Sequence, residues 1–82
     1  MKIIKFEASW CQPCKMLSKV INDVKDQITI EIEAVDIDQD NELTKQYQIR
    51  GVPTLVMVDG EKEIKRVSGV LTSANLLKFI NT

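Results

Sequence analysis

Residues 10–15 read WCQPCK, and this short stretch decides the fold. The residues before it, Lys2 to Glu7 (KIIKFE), are apolar-rich, of strand type and too few for a helix. Pro13 lies where the first turn of a helix would be, a position at which its missing N–H costs nothing. Apolar residues then recur at helical spacing, at Leu17, Val20, Ile21, Val24 and Ile28. The pattern predicts an amphipathic helix over residues 12–26, with WCQPCK at the junction between strand and helix.

The two cysteines of the chain both lie at this junction. Cys11 and Cys14 are separated by two residues, so one helical turn brings their sulfurs within bonding range. The first turn of a helix offers free N–H groups and the positive end of the helix dipole, and Lys15 adds a positive charge. A thiolate at Cys11 is stabilised there. One cysteine can attack a substrate disulfide and the other can resolve the mixed disulfide.

Two other interpretations of the cysteine pair stay open on the sequence. The pair could be half of a zinc site, but the chain has no further cysteine and no histidine, so the zinc would have to be shared between two chains. The cysteines could also be packing residues, although the hydrophilic neighbours Gln12 and Lys15 argue against it. The lack of histidine also excludes Ser-His and Cys-His catalysis. Redox chemistry is the favoured interpretation.

Composition limits the remaining possibilities. With 82 residues, 44% hydrophobic and 28% charged, the chain is expected to form one small globular domain over residues 1–82. The net charge of −1 gives no basic excess for nucleic acid. Apolar runs are far shorter than the ~20 residues of a membrane span, and no signal-peptide core forms near Met1. We therefore expect a cytoplasmic protein without a metal, a compartment where structural disulfides are rare.

The rest of the chain predicts an α/β fold. The further elements are a strand over residues 28–34 with one buried face, a helix over 40–48 ended by Gly51, a strand over 54–58, a returning strand over 63–68 after an Asp59-Gly60 turn, and a helix capped by Thr72 or Ser73 whose Leu76, Leu77 and Ile80 face the core. The order is β-α-β-α-β-β-α. We expect a mixed four-stranded sheet with helices on both faces, in which the first two strands are parallel.

The sequence resembles the thioredoxin family at three separated places. Residues 10–15 are similar to the W-C-G-P-C-K active site of that family, with Gln12 in place of glycine. Residues 36–38 (DID) and 47–54 (YQIRGVPT) resemble its second signature, in which the proline is cis and faces the disulfide. Residues 67–69 (VSG) match the segment whose glycine borders the substrate groove. The resemblance implies a thioredoxin fold and a protein-disulfide reductase.

The resemblance also implies roles for individual residues. Cys11 would be the accessible attacking thiolate and Cys14 the covered resolving cysteine. Active-site support would come from Trp10, Gln12, Pro13, Lys15, Pro53 and Lys5. The substrate groove would be formed by Trp10, Ile37, Val52, Pro53, Gly69 and Val70. The redox-active disulfide would replace any bound cofactor, and the partners would be disulfide-containing client proteins and an NADPH-dependent thioredoxin reductase, acting on a monomer. Because no histidine lies between the cysteines, the protein is expected to act as a reductant.

Two departures from the family pattern stand out. Full-length thioredoxins begin with an additional strand and helix, whereas this sequence starts at the strand before the active site, which would leave the strand with Glu31 and Glu33 at a sheet edge. Many members also carry a buried aspartate at the position of Lys5, with a lysine at the position of Ala34. Lys5 is expected to point beneath the second cysteine, with Glu7 as its nearest partner in sequence. If it stays charged, it should make the reduction potential less negative than the ~−270 mV of a typical thioredoxin. The alternative is that its ammonium only reaches solvent past the face left thinly covered without the additional helix.

Two alternative functions are kept. The length suits a glutaredoxin-like protein, although residues 67–70 (VSGV) lack the aspartate of the glutathione motif in that family. The chain could also be a binding subunit without enzymatic activity that uses the groove as a contact surface.

Overall fold

The computed structural model describes residues 1–82 as seven elements around one sheet. They follow the predicted order: strand β1 (Lys2–Glu7), helix α1 (Gln12–Asp23), strand β2 (Glu31–Asp36), helix α2 (Asn41–Gln46), strand β3 (Thr54–Asp59), strand β4 (Lys62–Ser68) and helix α3 (Ser73–Asn81). None of these helices combines the length and the apolar character that crossing a membrane requires.

The sheet has the strand order β2-β1-β3-β4. β1 pairs with β2 in parallel and with β3 antiparallel, and β3 pairs antiparallel with β4. This confirms the mixed four-stranded sheet and the edge position of β2. Because β1 is an inner strand that ends at Glu7, it leads the chain into the cysteine segment at the end of the sheet.

Each face of the sheet is covered by different helices. Helices α1 and α3 cover one face, which we call the α1–α3 face. Six buried residues form a cluster there: Ile3, Leu17, Val24, Leu55, Met57 and Leu76. The opposite face, which we call the α2 face, carries a second cluster of six buried residues: Ile4, Phe6, Val35, Tyr47, Val56 and Val58. Successive side chains of β1 and β3 alternate between the two clusters, as the period of a strand requires.

The end of α1 and the start of β2 differ from the prediction. α1 ends at Asp23, and residues 25–27 form a 3₁₀ turn. Val24 precedes this turn and Ile28 follows it, and both pack against the α1–α3 face. The apolar spacing of the sequence therefore continues beyond the end of the helix. β2 begins at Glu31 and buries residues on both faces, since Ile32 packs with the α1–α3 face and Val35 with the α2 face. The strand predicted over 28–34 is therefore present, but it starts three residues later and ends at Asp36. Ile28, Ile30 and Ile32 pack on the α1–α3 face as predicted, whereas the prediction of a single buried face is wrong at Val35.

The end of α2 also differs from the prediction. The helix ends at Gln46, and Gln48 adopts a left-handed backbone with φ of 52°. The N–H of Gln48 donates to Lys45 O at 3.1 Å, and the N–H of Ile49 donates to Thr44 O at 3.0 Å. These two bonds form a Schellman motif, which satisfies carbonyls at the helix end. Gly51, which was expected to end the helix, takes no part in it.

Short side chains begin the last two helices. The carboxylate of Asp40 and the hydroxyl of Thr72 each accept a backbone N–H three residues further on, at 3.0 and 3.1 Å. Thr72 rather than Ser73 is therefore the cap of α3. Leu76 is fully buried and Leu77 and Ile80 are half-buried against the same cluster, as predicted.

Candidate active site

The cysteine pair lies where β1 ends and α1 begins. Cys11 and Cys14 form a disulfide with their Cα atoms 5.2 Å apart. Cys11 is the N-cap of α1, and its sulfur accepts the backbone N–H of Cys14 at 3.1 Å. Pro13, in the same turn, has no N–H that would need a partner. The positive end of the helix is thus directed at the sulfur of Cys11.

Both cysteines are almost completely buried. In this disulfide form Cys11 is 4% exposed and Cys14 is 2% exposed, so neither sulfur is open to solvent. The expectation that Cys11 is the accessible nucleophile concerns the reduced protein and stays a prediction. The two residues pack with Ala8, and Ile37 and Val52 pack against this small cluster. The cysteines differ in their place on the helix, since Cys11 precedes α1 and Cys14 lies within its first turn.

The segment before β3 lies against the disulfide. The Val52–Pro53 peptide bond is cis, and the sulfur of Cys11 is 3.8 Å from the carbonyl oxygen of Val52. Pro53 is fully buried, so it does not form part of an exposed groove floor as was expected. Its carbonyl accepts the N–H of Gly69 at 2.9 Å. Gly69 has φ of 90°, a conformation that favours glycine, and its position ties the end of β4 to this segment.

An apolar surface surrounds this segment. Trp10, which precedes Cys11, is 67% exposed, and its indole Nε1 donates to the carboxylate of Asp38 at 2.9 Å. Val70 is also exposed and follows Gly69. Ile37 and Val52 are half-buried against the cysteines. Four of the six predicted groove residues therefore expose apolar side chains at this end of the sheet.

Three other predicted residues lie around the first turn of α1. Gln12, Pro13 and Lys15 are exposed to solvent. Between the cysteines the chain therefore presents an amide and a proline ring rather than a cation.

Lys5 is buried on the α1–α3 side of the sheet. Only 5% of its side chain is exposed, and its Nζ donates to the Glu7 carboxylate and, at 2.5 Å, to the hydroxyl of Ser18. Ser18 in turn donates to the carbonyl oxygen of Cys14 at 3.1 Å. The expected pairing of Lys5 with Glu7 is present. Sequence reasoning missed Ser18, although a serine four residues after a helical carbonyl often makes this bond.

The structure places no group of three or more His, Cys, Asp or Glu side chains where they could hold a metal ion. The chemistry available at the site is that of the two sulfurs, the helix N-terminus beneath Cys11 and the buried cation of Lys5.

The family model for thioredoxin matches residues 1–82. The chain belongs to the thioredoxin family. It is 35% identical to the thioredoxin of Chlamydia caviae, in an alignment that covers 96% of this chain and 78% of that one. Its structure superposes on that of a mutant thioredoxin from Halobacterium salinarum with a TM-score of 0.85 and 32% identity, covering 95% of this chain and 69% of the other.

One of the relatives is a much longer protein. The bifunctional thioredoxin reductase/thioredoxin of Mycobacterium leprae is 30% identical over 96% of this chain, which spans 18% of that protein. Membership in the thioredoxin family makes this chain a thiol–disulfide oxidoreductase of the protein-disulfide reductase type, with Cys11–Cys14 as its cysteine pair.

Proposed function

We propose that residues 1–82 act as one thioredoxin domain that reduces disulfides of client proteins, with Cys11 as the nucleophile and Cys14 as the resolving cysteine. The observation that carries this assignment is the 3.1 Å bond from the backbone N–H of Cys14 to the sulfur of Cys11. A helix N-terminus stabilises negative charge on the sulfur that caps it. Cys14 lies inside the first turn and receives no such bond.

The first step forms a mixed disulfide. The thiolate of reduced Cys11 attacks one sulfur of the client disulfide, and the second client sulfur leaves as a thiolate with the electron pair of the broken S–S bond. In the second step the thiolate of Cys14 attacks the sulfur of Cys11. The protein disulfide forms, and the first client sulfur leaves as a thiolate. The client gains two electrons, the protein loses two, and solvent protonates the client thiolates.

The apolar surface beside the disulfide is the proposed client site. An extended client segment would lie on Trp10, Ile37, Val52 and Val70, and the backbone of Val52 would pair with it as in strand addition. Pro53 and Gly69 would hold the Val52 segment in place through the 2.9 Å bond between them.

The residues around the first turn of α1 are assigned supporting roles. Gln12 and Pro13 place no cation between the cysteines, which favours the disulfide form and makes the protein a reductant. Lys15 would add positive charge near the thiolate of Cys11.

An NADPH-dependent thioredoxin reductase is the proposed electron donor. The name of the M. leprae relative joins a reductase and a thioredoxin in one chain, which supports this pairing. We propose that the protein works in the cytoplasm as a monomer and binds no cofactor besides its own disulfide.

Reduction of insulin, followed as turbidity, tests the assignment of the cysteines. We expect activity in the natural protein and none in Cys11→Ser. Cys14→Ser should instead accumulate a mixed disulfide with the client, because the first step is kept and the second is lost. Accumulation in Cys11→Ser rather than in Cys14→Ser would exchange the two roles.

The choice of electron donor separates the proposed function from the alternatives. Oxidised protein should be reduced faster by NADPH and thioredoxin reductase than by NADPH, glutathione and glutathione reductase. Preference for glutathione would indicate a glutaredoxin-like protein. Activity with neither donor and no insulin reduction would indicate a binding subunit.

A further inference from the structure

A buried lysine with a partly exposed carboxylate partner lies on the inner strand β1, on the same face of the sheet as the cysteine helix. In the sheet, Lys5 is paired with Ala34 of β2 and Leu55 of β3, and Ile3 precedes it on the same face of β1. An ammonium among such neighbours is costly unless it is paired and hydrogen-bonded. Glu7 and the hydroxyl of Ser18 supply those bonds. A position that packing alone would fill with an apolar residue therefore holds a charge with dedicated partners.

The ion pair is connected to the cysteine turn. Ser18 accepts from the Lys5 ammonium and donates to the carbonyl oxygen of Cys14, so the ammonium is two hydrogen bonds from the backbone of that cysteine. Glu7 also binds the ammonium and keeps 31% of its side chain exposed. The positive end of the pair is thus held toward α1, and the negative end is partly in solvent.

We propose that the Lys5–Glu7 pair sets the reduction potential of the Cys11–Cys14 disulfide, with Ser18 as the positioning residue that holds the Lys5 ammonium against α1. The inference rests on the proposed function. Reduction converts the neutral disulfide into sulfur groups with thiolate character, so the Lys5 cation stabilises the reduced form and the Glu7 carboxylate opposes it. The equilibrium that reports this is oxidised protein plus two glutathione thiols, giving the dithiol protein and glutathione disulfide.

Two single-charge variants should shift this equilibrium in opposite directions. In Lys5→Met the reduced form loses its cation, and we expect a threefold to tenfold smaller equilibrium constant, a potential more negative by ~14–30 mV. In Glu7→Gln the opposing charge is removed while the amide oxygen can still accept from Lys5, and we expect a shift toward the reduced form. A change in packing alone would not give opposite signs. If Lys5→Met fails to fold, Glu7→Gln still decides the sign.

The structure offers a matched control at the other end of β1. Lys2 and Glu33 form an ion pair at 2.5 Å with the same charges, and Lys2 lies at the start of the strand, away from the cysteines. Lys2→Met and Glu33→Gln should leave the glutathione equilibrium unchanged, because exposed charges beyond a Debye length are screened. Equal shifts in these controls would mean that net charge alone acts, and would overturn the inference.

Ser18→Ala tests the connection. It should shift the equilibrium in the direction of Lys5→Met but by less, and no shift would remove Ser18 from the proposal.

Opposite shifts in the two Lys5–Glu7 variants support the inference, and shifts of one sign, or none, contradict it. Insulin reduction by the natural protein is measured in the same samples. Insulin reduction without opposite shifts of the glutathione equilibrium would contradict this inference alone, whereas the absence of insulin reduction would contradict the proposed function.

Discussion

The two faces of the sheet bury different kinds of side chain, although neighbouring residues of β1 supply both. On the α2 face, Ile4 and Phe6 are buried in a cluster of apolar and aromatic side chains. Between them, Lys5 points to the α1–α3 face and is buried with its own carboxylate and hydroxyl partners. The face that carries the cysteine helix accepts a charge because Glu7 and Ser18 are placed to bind it. The buried side chains of the α2 face are apolar or aromatic.

The largest change in the free energy of unfolding should come from placing a charge on the α2 face. Ile4→Lys would place an ammonium among the apolar side chains of this cluster. The Glu33 carboxylate opposite Ile4 is already bound by Lys2, and the Tyr47 hydroxyl already donates to Glu61 O. We expect a loss of about 4 kcal/mol or more in the free energy of unfolding, which urea titration followed by circular dichroism would measure. A loss below about 1 kcal/mol would show that the two faces tolerate charge equally.

Removing the charge from the α1–α3 face should cost far less. In Lys5→Met a flexible apolar side chain fills the site, and the partly exposed Glu7 can be solvated. Removing one partner of a buried ion pair is strongly destabilising when the other charge stays buried, but the exposed part of Glu7 lets water replace the lost ammonium. We therefore expect a change within about 1 kcal/mol in the same urea titration. A loss comparable to that of Ile4→Lys would mean that the pair is a structural requirement of the fold.

A substitution in the turn that ends α2 should raise the free energy of unfolding slightly. Gln48 holds the left-handed position of the Schellman motif, where a side chain is strained and glycine is not. Gln48→Gly should raise the free energy of unfolding by about 0.5 kcal/mol, the relief of strain being partly offset by the more flexible unfolded chain. Gly51→Ala is a suitable control, since Gly51 has open space around its Cα and no left-handed backbone. A destabilised Gln48→Gly would show that the glutamine side chain contributes at this turn.

The smallest expected effect concerns a charge pair at the rim of the α2 face. Arg66 donates to the carbonyl oxygen of Tyr47 and to the carboxylate of Glu63, and its hydrogen bond to Glu63 holds the pKa of that carboxyl below its ordinary value. Because the folded pKa is lowered, the stability from the pair is present above the ordinary glutamate pKa of about 4.3 and is lost as the pH falls through the lowered value.

The effect of the rim pair is measured by comparing Glu63→Gln with the natural protein. At pH 7 the variant should be less stable by about 0.3 kcal/mol, as is usual for exposed pairs, and the difference should vanish near pH 2. A difference that persists in acid would come from packing rather than from charge.

The sequence predicted the elements that local patterns determine. The order of strands and helices, the parallel first pair and the partner of Lys5 depend on apolar spacing, connection length and short separations along the chain. The boundaries were harder to predict, because a 3₁₀ turn preserves the apolar spacing after Asp23 and Gln48 takes a position at which glycine is usual. The burial of Cys11 and Pro53 depends on Ile37, Val52 and Gly69, which come together only in the folded chain.

The position of Trp10 gives the protein an optical signal of its own. It is the sole tryptophan, it precedes Cys11, and its indole is fixed to Asp38 while its ring faces solvent. An excited indole can transfer an electron to a nearby S–S bond, whereas two separated thiols accept one poorly. Emission from Trp10 should therefore rise when the disulfide is reduced, so that the redox state of an unlabelled sample can be followed by its fluorescence.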